Sequence, residues 1–69
     1  MSPDKLVYMA NQIGRSFAYQ PRDQAVESTR DHLLKFWDPR MRRIIKEQLA
    51  NPSSGLDEMV REAVAKLPN

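Results

Sequence analysis

Leu6, Met9, Ala10, Ile13 and Phe17 recur at the three- and four-residue spacings that put them on one stripe of a helix. Val7, Ala10, Gly14 and Ala18 make a second stripe of small residues. Ahead of both stands Ser2-Pro3-Asp4: an N-cap serine, a proline at the first helical position and an acid in the first turn. The spacing predicts a helix over about 3–18, ended by Tyr19-Gln20-Pro21. Gly14 within it costs about 1 kcal/mol relative to alanine. A second backbone packed closely at that point would account for it.

A second helix is expected from Arg22 or Asp23 to Trp37, with Val26, Thr29, Leu33, Phe36 and Trp37 inward and Leu34 widening that face. Asp38-Pro39 repeats the device of Ser2-Pro3. A residue before proline is pushed out of the α region, so the second helix must stop by Asp38 and a sharp corner follows. The third helix spans about 39–50, with Met41, Ile44, Ile45 and Leu49 inward. Asn51-Pro52-Ser53-Ser54-Gly55 reads as a loop. Leu56, Met59, Val60, Ala63, Val64 and Leu67 then trace a fourth helix over 56–67, capped by Ser54 or Asp57 and ended by Pro68. No segment alternates as a strand does. The expected fold is all-α: a single domain over 1–69, built as a small bundle of three to four short helices, the fourth detachable if only three form the core.

Size changes what such a bundle can do alone. A chain of 69 residues buries only about 60% of its unfolded surface. A core that small contributes about 3–5 kcal/mol, so disulfides, metals or partners often supplement it. There is no cysteine and one histidine, which argues against a disulfide framework or a zinc site and leaves a partner open. In isolation the chain is expected to be marginally stable or self-associated. An apolar fraction of 41% with 29% charged residues suits a soluble domain. No apolar run approaches the roughly 20 residues of a membrane span, and MSPDKL lacks the basic and apolar regions of a signal peptide. The expected location is cytoplasmic, with no membrane partner.

Catalysis finds little support. Phosphate loops, nucleophile elbows and metal-ligand spacings are all missing. His32 lies between Asp31 and Leu33, at the edge of the core or on the surface; Glu47, Asp57 and Glu58 read as solvated acids. The reading is therefore not an enzyme, with no catalytic residue, metal or cofactor of its own.

The densest stretch is HLLKFWDPRMRRII, residues 32–45. Arg40, Arg42 and Arg43 occupy the first turn and a half of the third helix, where the macrodipole is positive and an exposed cation is unfavourable by about 0.3–1 kcal/mol. Pairing Arg43 with Glu47 at i,i+4, in the less favourable order, relieves only part of this. Phe36 and Trp37 precede the arginines and point about 100° apart on a helix, so one of them should reach the surface. Exposed tryptophan with arginine is the composition of a binding hot spot. The corner is thus expected to present an aromatic–arginine patch to an acidic or anionic partner. The plainer alternative is a solvated basic face with one arginine capping a neighbouring helix.

KLVYMANQI, HLLKFWDPRMRRII and GLDEMVREAVAKL resemble, in that order, the delta subunit of cytoplasmic NAD-dependent formate dehydrogenases. The resemblance implies an accessory subunit without cofactor or catalytic residues, supporting maturation, assembly or cofactor insertion. The implied partner is the large subunit holding molybdenum or tungsten in a bis-molybdopterin guanine dinucleotide; further subunits carry iron–sulfur clusters and FMN. Phe36, Trp37, Asp38, Pro39, Arg40, Met41 and Arg42 match the family's motif. With Arg43 they form the expected partner-binding set. The rival reading is a small helical nucleic-acid-binding module using Arg40, Arg42, Arg43 and Lys46 on phosphates. A net charge of only +2, all of it matched by residues 38–48, makes nucleic acid the less favoured partner.

Overall fold

The Ser2 hydroxyl accepts a hydrogen bond from the Lys5 amide at 3.2 Å, and Pro3 opens the first helix, α1 (Pro3–Ser16). The structure is a computed structural model describing residues 2–68. It continues with α2 (Arg22–Phe36), α3 (Pro39–Glu47), a 3₁₀ turn (Gln48–Ala50) and α4 (Glu58–Ala65). No strand occurs among the described residues, so the fold is an all-helical bundle. Among the described residues, no helix is long and apolar enough to cross a membrane.

The helices are shorter than their apolar stripes. At the end of α1 the Phe17 and Ala18 amides bond to Gly14 and Arg15 carbonyls, the tighter pattern of a closing 3₁₀ turn. α4 starts two residues after Leu56 because a side chain from another helix holds the chain extended there. Asn11, buried on α1, donates from Nδ2 to the Gly55 carbonyl and accepts at Oδ1 from the Asp57 amide, both at 2.9 Å. Gly55 supplies the left-handed turn (φ +90°) that brings those groups to it. Neither expected cap for α4 bonds its first turn: Ser54 Oγ accepts from Leu56, and the Asp57 carboxylate pairs with Arg15 at 3.2 Å.

The core joins Leu6, Val7 and Ala10 of α1 to Leu33, Trp37 and Ile45, with Leu56, Val60, Val64 and Leu67 from the last segment. α4 packs most extensively on α2 and contributes fully buried side chains, so it is an integral layer and not a detachable fourth helix. On α1, Val7, Ala10 and Gly14 of the small-residue stripe face inward together with Leu6, while Ala18, past the helix end, is exposed. Met9 is 38% exposed and Phe17 is half-buried, so the expected large-residue stripe runs out at the surface. Gly14 sits where α4 crosses. A Cβ there would overlap Val60 Cγ2 and approach Met59 Cε at 3.2 Å, so the close neighbour is a side chain, not the expected second backbone. From α2, Thr29 stays buried by donating to the Ala25 carbonyl at 2.8 Å.

Candidate functional site

Leu33 lies on the buried face of α2, and the helix stops three residues later at Phe36. Trp37 then turns extended (φ −94°, ψ 138°), although its amide still reaches the Leu33 carbonyl at 3.1 Å. That departure separates the two aromatics. Trp37 swings into the core and is 5% exposed, while Phe36 is 69% exposed. Phe36 therefore leaves the inner face expected for it. The surface aromatic of the corner is a phenylalanine, not the tryptophan.

Asp38 and Pro39 build the turn. The Asp38 carboxylate accepts from the Met41 amide at 2.9 Å, and Pro39 occupies the first position of α3, which has no amide hydrogen to satisfy. Met41 packs half-buried against the core. These three residues hold the corner's shape.

The arginines divide. Arg42 turns back across the corner and donates from one guanidinium nitrogen to the Trp37 carbonyl at 2.6 Å and the Leu34 carbonyl at 3.1 Å. Its charge thus lies at the negative C-terminal end of α2, where a cation is favourable, although its Cα is in the unfavourable first turn of α3. Lys46, one turn further along α3, donates to the Leu67 carbonyl, and Arg30 of α2 donates to the Lys66 carbonyl at 3.3 Å. Arg61 holds the carbonyls of Leu49 and Asn51 at 3.0 and 2.8 Å. Four basic side chains thus close chain ends on neighbouring elements. The plainer alternative, one arginine capping a neighbouring helix, describes Arg42.

Arg40 and Arg43 remain. Both are exposed, three residues apart on one side of α3, and neither makes a hydrogen bond or ion pair among the described residues. The expected Arg43–Glu47 pair is not formed. Arg43 instead lines an open groove of about 650 Å³ with Pro39, Arg42, Lys46, Glu47 and Pro68. The sequence reading missed two further side chains. His32 packs on Phe36 at a tilt of 42° with ring centroids 4.7 Å apart, and the Phe17 ring meets His32 edge-on at 6.2 Å. His32 and Phe36 are an i,i+4 pair on α2, so that contact was available from spacing alone.

The structure therefore leaves Phe36, Arg40 and Arg43 exposed and withdraws Trp37 and Arg42 into support. Among the described residues, no group of histidines and acids is placed to hold a metal ion.

Against known proteins, a family model described as NADH-dependent formate dehydrogenase delta subunit (FdsD) matches residues 5–64. No match was found among curated proteins or among solved structures. Because the family match reaches into all four helices and covers the whole corner, the chain belongs to the delta-subunit family of NADH-dependent formate dehydrogenases.

Proposed function

We propose that this chain is a non-catalytic accessory subunit that docks on the large subunit of the dehydrogenase through its 36–43 corner and supports assembly, maturation or cofactor insertion. The observation that carries the reading is the pair Arg40 and Arg43. They stand unneutralised at the start of a helix, against its dipole, on a corner fixed by the Asp38 cap and the Arg42 bridge. An external acidic or anionic group relieves that conflict. A rigid corner also loses little conformational freedom on binding.

In this reading the molybdenum or tungsten bis-molybdopterin guanine dinucleotide, the iron–sulfur clusters and FMN belong to partner subunits, and the complex is cytoplasmic. The chain's only imidazole, His32, is held between the rings of Phe17 and Phe36. The nucleic-acid reading loses support, because Arg42 and Lys46 spend donors on backbone carbonyls. Arg40→Glu and Arg43→Glu should each weaken capture of the large subunit by at least about 2 kcal/mol, the scale of a hot spot. Lys5→Glu should leave capture unchanged. Folded charge-reversed variants that bind as the unsubstituted chain does would reduce the corner to a solvated basic face.

A further inference from the structure

We propose that Phe17, His32 and Phe36 form one apolar docking strip, and that its occupant is an acidic amphipathic helix of a dehydrogenase subunit. This rests on the docking reading above and adds its apolar half. Phe36 holds 69% of its surface in water while the next residue is buried, so packing does not explain its position. Contact with His32 fixes the ring's orientation, and Phe17 extends the strip onto α1. Successive ring centroids step 6.2 and 4.7 Å, close to the 5.4 Å pitch of an α-helix. Apolar side chains spaced three and four apart on a partner helix meet such a strip ring by ring.

Charge selects among occupants. Lys35 precedes Phe36 in sequence and Arg40 and Arg43 follow it on α3; all three are exposed, and none has a partner among the described residues. Of the acids near the corner, Asp31 pairs with Arg30 at 3.0 Å and Asp38 caps α3, while Glu47 shares the groove lined by Arg43. A second copy of this chain, seated through the same strip, would set these cations against their own counterparts. A free phosphate would use the cations but leave the rings in water. A helix with carboxylates beside an aliphatic stripe satisfies both halves.

The test places p-benzoylphenylalanine at Phe36 of the full chain and, as a control, at Tyr8, which is 61% exposed on α1. Each is irradiated with the purified dehydrogenase subunits and separately with mixed-sequence RNA. The Phe36 adduct should map to a subunit segment rich in aspartate or glutamate, with aliphatic residues at three- and four-residue spacing. Its yield should exceed the Tyr8 adduct at least tenfold. Phe36→Ser and His32→Ser, checked for helicity, should each weaken capture at least tenfold, and Phe36→Leu should restore most of it. The loss at Phe36→Ser should persist at about 1 M salt, where the Debye length is about 3 Å.

Adducts to RNA, to another copy of this chain or to a segment without acids overturn the proposal. So does undiminished capture by Phe36→Ser and His32→Ser while Arg40→Glu and Arg43→Glu bind weakly; the corner would then dock by charge alone and the docking reading would stand. Undiminished capture by all four variants removes both.

Discussion

The guanidinium of Arg42 donates to the carbonyl of Trp37 across the α2–α3 corner, at 2.6 Å. One residue thus closes the end of one helix from the start of the next, with a second bond to Leu34. Hydrogen bonds from a charged group to a neutral one are worth about 1.5–3 kcal/mol. Because Arg42 is only part-buried, the lower half of that range applies. Arg42→Ala should therefore destabilise the chain by about 1.5–2 kcal/mol in urea denaturation. Arg42→Lys should recover only part, since the lysine side chain is shorter and its ammonium more strongly hydrated. An unchanged urea midpoint for Arg42→Ala would show that the bridge contributes nothing.

Trp37 and Phe36 should respond in opposite ways to truncation. Removing a buried aromatic costs about 3–5 kcal/mol, as much as a core of this size contributes. Trp37→Ala should thus lose its helical circular dichroism at room temperature. Phe36→Ser should stay within about 0.5 kcal/mol of the unsubstituted chain, as exposed substitutions usually do. Equal loss of helicity in both variants would contradict the burial assigned to each.

Gly14→Ala tests the crossing of α1 and α4. Helix propensity alone predicts a gain of about 1 kcal/mol. The added Cβ, however, overlaps Val60 Cγ2 in a packed core, and overpacking costs about 1–3 kcal/mol. A net loss of stability is expected, partly relieved by pairing Gly14→Ala with Val60→Ala. A thermal midpoint raised by Gly14→Ala would mean that α4 stands further from α1 than the structure places it.

Asn11→Ala leaves two groups without their partner, the Gly55 carbonyl and the Asp57 amide. An unsatisfied buried polar group costs about 1–3 kcal/mol. The variant should be less stable, and hydrogen exchange at the Asp57 amide should speed up more than exchange within α2. Exchange at Asp57 as slow as before would mean that Asn11 does not hold the loop.

Deleting the chain from the dehydrogenase tests the assembly role directly. Molybdenum content, or the share of intact complex, should fall while turnover per occupied molybdenum stays constant. Full occupancy and assembly with collapsed turnover per molybdenum would place the chain in the catalytic cycle instead.

The sequence by itself determined the helices and their corners. Ser2-Pro3 and Asp38-Pro39 are local devices, in which a short side chain caps amides three residues on and proline fills a position that has no hydrogen bond to lose. The α4 stripe was legible for a similar reason, since burial on one side of a helix forces a 3.6-residue period. Tertiary structure decided which face of α1 is inner, because α4 crosses at Gly14 and leaves Met9 and Phe17 at the edge. It also decided which corner aromatic is buried: Trp37 has left helical geometry, and a helical wheel cannot follow a residue past that point. The arginines show the same division. Their conflict with the α3 dipole is a property of sequence position, but only the return of α3 beside the end of α2 gives Arg42 carbonyls to bind. Arg40 and Arg43 keep their charges exposed, with no ion pair among the described residues.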